Sequence, residues 1–225
     1  MRTLAIDSAT EACSVALFDD DRLIAGDYEL LGRGHAERLV PMIAALPSKG
    51  RADRIAVALG PGSFTGIRVG VAAARALALA WRAELAGYRT HDLLAAMTFD
   101  KARQRGRADE IAGVAEADLM QGIAVCNTAG HGQWYVQQFS SSGEPIGDVA
   151  ALDPDQAATS VQAHLVVGSA AEALIGRRGF GIASPSWPDA RLFMSMNPLR
   201  LTGDVSPVYG RPPDAKVAAP KTYHR

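Results

Sequence analysis

GPGSFTGIR, residues 60–68, lies between two apolar segments whose patterns predict the fold class. The apolar run Arg54–Leu59 before it predicts a buried central strand, and the alanine-rich run Gly66–Arg82 after it predicts a long helix. A buried strand that passes through a glycine turn into a long helix indicates a layer of helices on a sheet. The stretch therefore predicts an α/β fold.

The glycine turn is also a candidate site, because it places backbone N–H groups at the positive end of a helix, where an anion can bind. The residues that would form the site are Gly60, Gly62, Ser63, Thr65 and Arg68. Of these, Ser63 or Thr65 is expected to cap the helix. A phosphate-binding loop would need Lys and then Ser or Thr after its last glycine, and this chain has Ile67 there. The alternative, a turn that only caps a helix, is the one that physics alone favours.

The segments before this turn predict a meander of three strands, separated by Asp and Gly residues. They are Thr3–Asp7, Ala12–Phe18 and Arg22–Tyr28. The spacing of apolar residues then becomes helical over His35–Leu46. Pro41 lies inside this segment and predicts either a kink or a delayed start of the helix.

A second candidate site follows the first predicted strand. Asp7 ends that strand and Ser8 opens a polar turn, an arrangement that can position Mg²⁺ and phosphate. Asp at the end of a strand is also an ordinary turn former, and this alternative stays open. The second half of the chain has Asn127 at the corresponding place, so a magnesium clamp with an acid on both turns is not available.

The second half repeats the opening of the chain at an offset of about 120 residues. The matched pairs are Ala5–Ala9 with Val125–Ala129, Phe18 with Phe139, and Gly26-Asp27 with Gly147-Asp148. Leu165–Val167 followed by Ser169–Ile175 predicts another step from strand to helix, with Ser169 as the cap. Together these matches predict two copies of one strand-meander unit.

We predict a domain boundary near residue 100. Lys101–Arg107 is charged and has no apolar period, which indicates a linker or an exposed loop. The predicted organisation is a first lobe at residues 1–100, a second lobe at 101–210 and a loosely ordered tail at 211–225. The tail prediction rests on its content of Pro, Ala and Lys.

The composition excludes several classes of protein. The net charge is −1, so the chain has no overall basic surface for gripping nucleic acid alone. Cys13 and Cys126 are too few for a disulfide framework, and both are predicted to be buried in a reducing compartment. The amino terminus does not resemble a signal peptide, and the apolar run Val71–Trp81, which contains Arg75, is too short to span a bilayer. We therefore expect a cytoplasmic protein without a membrane segment.

No spacing of residues indicates a metal or catalytic centre. His35 is followed by Glu37, but a helical histidine pair would need a second His at position 38 or 39. The other histidines are scattered, and no Ser/His/Asp arrangement follows from spacing. We expect no metal ligand and no catalytic residue in this chain.

The predicted long helix carries small residues every four positions, at Gly66, Gly70, Ala74 and Ala78. Small residues in this register let another helix backbone approach closely. We predict a contact with another subunit, in which the first helix takes part through Leu39, Met42 and Ile43. In that case Gly70→Leu or Ala74→Trp should abolish partner binding while the chain stays folded. The alternative is packing inside the chain.

Four segments of the chain resemble the TsaB (YeaZ) family. Leu4–Leu17 resembles its amino-terminal signature and Gly60–Arg68 resembles its glycine loop. Gly34–Ile43 resembles its first helix, and Pro207–Arg211 resembles its carboxyl-terminal P-x-Y-L-R element, with Gly210 in place of Leu. The resemblance is most specific over the first 100 residues.

The resemblance implies an actin-like (ASKHA, ribonuclease-H-like) α/β fold of two related βββαβα-type lobes. It implies a heterodimer with a TsaD-type subunit, which transfers a threonylcarbamoyl group to an adenosine beside the tRNA anticodon, and a complex with a TsaE-type ATPase. It places the TsaD contact on the first two helices, at His35, Leu39, Met42, Ile43, Gly66, Gly70, Ala74 and Ala78.

The resemblance also implies a non-catalytic accessory subunit. TsaD-type proteins bind a metal through a pair of histidines on the first helix, and this chain keeps His35 and Glu37 but lacks the second His. The chain alone is then expected to bind no cofactor and to be a candidate homodimer. ATP or ADP is expected only at the partner interface, and tRNA only through the complex.

Two other functions compete with this one. A nucleotide-binding phosphotransferase of the actin/sugar-kinase class would bind Mg-ATP tightly and lose it on Asp7→Ala. A peptidase would need a nucleophile with a neighbouring base, for which the sequence offers no arrangement.

Overall fold

The computed structural model describes residues 1–105, 114 and 116–210. Within these residues, a first sheet of five strands comprises β1 (Arg2–Asp7), β2 (Ala12–Asp19), β3 (Arg22–Leu30), β4 (Arg54–Ala58) and β5 (Glu84–Tyr88). Their order is β3-β2-β1-β4-β5, with β1 antiparallel to β2 and parallel to β4. Helix α1 (His35–Ala45) lies between β3 and β4 in the chain, and α2 (Phe64–Trp81) lies between β4 and β5.

Helices α3 (Thr90–Arg105) and α4 (Glu116–Met120) precede a second sheet. In the described part of the chain, its five strands are β6 (Ile123–Thr128), β7 (Trp134–Phe139), β8 (Pro145–Leu152), β9 (Leu165–Val167) and β10 (Ile182–Ser184). Their order is β10-β9-β6-β7-β8. The remaining elements are α5 (Pro154–Ser160), α6 (Ala171–Arg178) and short 3-10 turns at Pro47–Gly50, Ala190–Ser195 and Pro198–Arg200.

The two sheets share one strand order, which confirms the predicted internal repeat. Thr3 lies opposite Phe18 in the first sheet, and Ile123 lies opposite Phe139 at the same place in the second. Each lobe contains a three-stranded meander, a helix, a parallel strand and a second helix. The α/β, actin-like fold of two related βββαβα-type lobes is therefore confirmed, and β5 and β10 add one strand to each lobe beyond the predicted pattern.

Strand β1 lies at the centre of the first lobe, and its residues Thr3–Asp7 are all buried. Burial of consecutive residues means that both faces of the sheet are covered. Helix α1 contacts β2, α2 contacts β1 and β4, and the two helices contact each other. The predicted first helix is confirmed, and because it begins at His35 and continues through Pro41, its start is not delayed.

Helix α3 corrects the predicted linker. Lys101–Arg105 continues the helix, and the rest of the predicted linker lies outside the described residues. Buried side chains of α3 join two cores, Leu93 and Met97 in the first lobe and Leu94 and Phe99 in the second. Because both sides of the helix are buried, it has no amphipathic period from which the sequence could reveal it.

The chain returns to the first lobe after its second sheet. Thr202 and Gly87 of β5 exchange backbone hydrogen bonds of 3.0 and 2.8 Å. Phe193 and Val205 are buried in the core of the first lobe. The predicted division at 101–210 therefore does not describe the end of this range, which packs with the first lobe. The predicted tail at 211–225 lies outside the described residues.

Helix α2 is long and apolar enough to cross a membrane by length and composition alone. The predicted apolar run Val71–Trp81 is thus part of a longer apolar helix. Helices in protein cores pass the same test. Six residues of α2 are buried and lie against the chain's own sheet: Gly66, Ile67, Gly70, Val71, Ala74 and Ala78.

Candidate functional site

The glycines of segment 60–68 hold α2 against the turn that follows β1. A Cβ atom on Gly62 would overlap the carbonyl oxygen of Ala9, and a Cβ atom on Gly66 would overlap that of Ser8. Only a residue without a side chain fits so close to another backbone. The structure thus brings the two candidate segments, the glycine loop and the turn after β1, into direct backbone contact.

Ser63 is the cap of α2, and Thr65 is not. The Oγ atom of Ser63 accepts the N–H of Gly66 at 3.3 Å, and the N–H of Ser63 donates to the carbonyl oxygen of Ala9 at 2.6 Å. Ser8 Oγ donates to the carbonyl oxygen of Gly66 at 2.9 Å. Thr65 is exposed in the first turn of the helix. Acceptors of the chain itself occupy the N–H groups of Ser63 and Gly66, which supports packing over anion binding at these two residues.

Asp7 ends β1 in the interior of the first lobe and has no exposed surface. Its Oδ1 atom accepts the N–H of Ala9 at 3.0 Å, and the hydroxyl of Tyr88 donates to its Oδ2 atom at 3.4 Å. Burial disfavours the ionised carboxylate and raises the pKa of Asp7 to about 7, although the hydrogen bonds from Ala9 and Tyr88 act in the opposite direction. A magnesium-bound nucleotide would need an accessible carboxylate, so this burial gives the phosphotransferase alternative no support.

We expect Asp7→Asn to remove a pH dependence of folding. The pKa of Asp7 is raised above its usual value of 3.8, so the folded state binds the proton more tightly than the unfolded chain does. The free energy of unfolding should therefore fall as the pH rises from about 4 to about 7, by up to about 1.4 kcal/mol per pH unit, and level off above that range. Denaturant unfolding of both proteins across this range is the measurement, and parallel pH profiles would contradict the prediction.

The equivalent turn of the second lobe is held by hydrogen bonds of its own. Oδ1 of Asn127 accepts the N–H of Ser169 at 2.9 Å, and Ser169 Oγ accepts the N–H of Thr128 at 3.1 Å. Helix α6 begins at Ala171 without a side-chain cap, so the prediction of Ser169 as its cap is wrong. Thr128 Oγ1 also donates to a carboxylate oxygen of Glu11 at 2.6 Å, which joins the turns of the two lobes.

The residues predicted to bind a partner lie in the interior of this chain. All eight are buried: His35, Leu39, Met42, Ile43, Gly66, Gly70, Ala74 and Ala78. A Cβ atom on Gly70 would lie 2.5 Å from Ser8 Oγ, and His35 Nε2 lies 3.2 Å from the carbonyl oxygen of Ala12. The small residues let α2 approach its own sheet. The alternative of packing inside the chain is therefore the one that the structure supports.

The opposite sides of α1 and α2 carry exposed apolar side chains. Val40 is 59 % exposed on α1, and Leu79 is 83 % exposed on α2. Together with smaller exposed residues they form what we name the α1–α2 surface, whose other members are Pro41, Ala44, Ala72 and Ala76. Exposed apolar side chains on two contacting helices are typical of an interaction surface. The spacing of small residues indicates the positions that allow close packing, so it did not point to these exposed residues.

Residues Pro207–Tyr209 pack against the start of α2. The ring centroids of Tyr209 and Phe64 are 5.1 Å apart, and Arg68 Nε donates to the Tyr209 hydroxyl at 2.9 Å. The structure therefore places Arg68, a predicted site residue, beside Phe64 and Tyr209, which were not predicted as site residues. The only signal that could have linked them is the resemblance of both segments to one family.

In the part of the chain that the structure describes, the side chains give little support for a metal site or for a catalytic nucleophile. No group of three His, Cys, Asp or Glu side chains there is arranged to hold a metal ion. Cys13 and Cys126 are buried as predicted, and burial raises the pKa of each thiol to about 12. Of the described histidines, His35 bonds to a backbone carbonyl and His164 bonds to Asp118 at 2.6 Å. Neither of these bonds activates a hydroxyl or a thiol.

Comparisons with known sequences point to one family. A family model described as TsaD: tRNA N6-adenosine threonylcarbamoyltransferase matches residues 29–195. The chain is 44 % identical over 95 residues to the tRNA threonylcarbamoyladenosine biosynthesis protein TsaB of Escherichia coli (strain K12), and 45 % identical over 84 residues to the TsaB protein of Haemophilus influenzae. These matches cover 40 % and 33 % of this chain and 41 % and 34 % of the relatives. The chain thus spans less than half the length of the curated relatives it matches.

Comparisons with solved structures extend the similarity to both lobes. A Pseudomonas aeruginosa protein described as uncharacterized and similar to peptidase YEAZ matches with a TM-score of 0.72 and 25 % identity, over 93 % of this chain and 99 % of its own. YeaZ from Pseudomonas aeruginosa matches with a TM-score of 0.65 and 26 % identity, over 86 % of this chain and 89 % of its own.

Proposed function

Because the chain belongs to the TsaD family of tRNA N6-adenosine threonylcarbamoyltransferases, and within it to the TsaB (YeaZ) proteins, we propose that it takes part in the N6-threonylcarbamoyladenosine modification of tRNA. It acts there as a non-catalytic subunit that forms a heterodimer with a TsaD-type transferase. A TsaE-type ATPase joins this complex.

The observation that carries the proposal is the exposed α1–α2 surface. Burying a side chain such as Val40 or Leu79 against a partner contributes roughly 1.5–3 kcal/mol, and both are more than half exposed in the isolated chain. The TsaD family model matches residues 29–195, which include α1 and α2, so we infer that a transferase of this family has an equivalent pair of helices. Two such pairs can pack face to face in a nearly symmetric interface.

The remaining parts of the assembly follow from this interface. Without its partner, the chain forms a homodimer through the same surface. ATP or ADP binds at the partner interface and not at Asp7, whose carboxylate is buried inside the chain. The transferase supplies the catalytic site for tRNA, and the complex works in the cytoplasm.

We expect Leu79→Glu, alone and combined with Val40→Glu, to abolish the heterodimer. An unpaired carboxylate buried in an apolar interface costs several kcal/mol, so affinity for the TsaD-type subunit of the same organism should fall by at least about 100-fold. Calorimetric titration and size-exclusion chromatography, each with and without ATP, are the measurements.

Leu199→Glu is the matched control, because Leu199 is 89 % exposed but lies outside the α1–α2 surface. This variant should bind the partner as the wild type does. Wild-type affinity of the Leu79→Glu variants would exclude the α1–α2 surface as the interface. A wild-type chain that forms no complex at all would exclude the proposed function.

A further inference from the structure

Phe64 and Arg68 are large side chains of segment 60–68 that the packing of the fold does not explain. The glycines of this segment allow close packing, Ser63 caps α2, and Ile67 is buried in the core. Phe64 is 54 % exposed, and Arg68 is also exposed. An exposed aromatic ring and an exposed guanidinium four residues apart share one side of a helix. Their side chains are therefore free to meet a ligand.

Tyr209 completes a small cluster with these residues, which we name the Phe64–Arg68–Tyr209 cluster. The guanidinium carbon of Arg68 lies 3.6 Å from the centroid of the Phe64 ring. The rings of Phe64 and Tyr209 are 5.1 Å apart at an interplanar angle of 35°. Tyr209 is 39 % exposed. The guanidinium of Arg68, an exposed residue, donates from Nε to the Tyr209 hydroxyl at 2.9 Å.

The helix that carries Phe64 and Arg68 has a positive charge. Helix α2 carries Arg68 and Arg75, with Arg82 at its end, and no acidic residue. These arginines follow one another at seven-residue intervals, which places them along one side of the helix. The nearest acidic residue along the C-terminal segment, Asp204, accepts the N–H and the hydroxyl of Ser206.

We propose that the Phe64–Arg68–Tyr209 cluster binds a single-stranded segment of RNA, an inference that rests on the proposed function in tRNA modification. Exposed aromatic rings accept unstacked bases, and an exposed guanidinium binds phosphate in a bidentate way. The net charge of −1 fits a local contact that assists binding by the complex.

The test is the binding of the full-length chain to a fluorescent RNA hairpin whose loop contains adenosine, followed by anisotropy at several salt concentrations. We expect Phe64→Ala and Tyr209→Ala each to weaken binding roughly tenfold, which corresponds to the loss of one stacked base. Arg68→Gln should weaken binding and also reduce its salt dependence. Tyr209→Phe keeps the ring and should bind nearly as well as the wild type.

Control variants separate this proposal from the alternatives. Arg22→Gln removes an exposed arginine on β3 and should leave RNA affinity unchanged. Leu79→Glu should lose the TsaD-type subunit and keep the RNA, so failure of the proposed function and failure of this inference give different results. Equal RNA affinity of the wild type and the cluster variants, or no detectable binding by the wild type, would overturn the inference. So would cluster variants that lose the protein partner while keeping the RNA.

Discussion

Gly66→Ala is expected to lower the free energy of unfolding by about 3 kcal/mol. A Cβ atom at this position would overlap the carbonyl oxygen of Ser8, which belongs to a backbone that cannot rotate away. Helix α2 would have to shift from the turn after β1, and the 2.9 Å hydrogen bond from Ser8 Oγ to the carbonyl oxygen of Gly66 would be lost. Denaturant unfolding of the two proteins measures the difference.

Gly176→Ala is the matched control for this substitution. Gly176 also lies in a helix, and a Cβ atom there would meet no other atom within 4 Å. Alanine has the higher helix propensity, so this variant should gain up to about 1 kcal/mol in the free energy of unfolding. Equal effects at the two positions would mean that helix propensity, and not the close approach to Ser8, decides the outcome at Gly66.

Ala74→Trp is expected to prevent the first lobe from folding. Ala74 has no exposed surface and lies in the core between α2 and the sheet. An indole ring needs space that this core does not have, and overpacking of this size displaces the backbone at a cost above about 3 kcal/mol. Circular dichroism should show no cooperative thermal transition. This result would reverse the expectation from the small-residue pattern, in which the variant stays folded and loses only its partner.

Ala76→Trp is the comparison that isolates burial, because Ala76 is exposed two residues further along the same helix. This variant should fold with the stability of the wild type. Since Ala76 belongs to the α1–α2 surface, the variant should also fail to bind the TsaD-type subunit. A cooperatively folded Ala74→Trp protein would contradict the packing of α2 described above.

The sequence alone predicted the first lobe in most of its detail. Strands, glycine turns and the start of a capped helix within residues 60–68 are local features, because each depends on residues a few positions apart. The internal repeat was visible for a similar reason, since Phe18 and Phe139 keep the same place in two strands of equal pattern. Helix α3 escaped prediction because it is buried on two sides and so has no amphipathic period.

The candidate site could be predicted only in part. The spacing of small residues predicted a close approach by another helix, but the group that approaches is the chain's own Ser8, through its carbonyl oxygen at Gly66 and its hydroxyl at Gly70. A stripe of small residues has the same spacing whether it meets a sheet or another subunit. Sequence spacing therefore identifies a packed face, and only the tertiary structure shows what it packs against.

Most strands and helices of the first lobe, and the repeat of this lobe in the second, could be predicted from the sequence, but β5, α3 and β10 could not. The tertiary structure decided which side of α1 and α2 is exposed, and it brought Arg68 beside Tyr209 across 141 positions of the chain. It also places Thr202 at the edge of the first sheet. Local preferences follow from neighbouring residues, whereas contacts of this kind follow from the packing of the whole chain, which no short segment encodes.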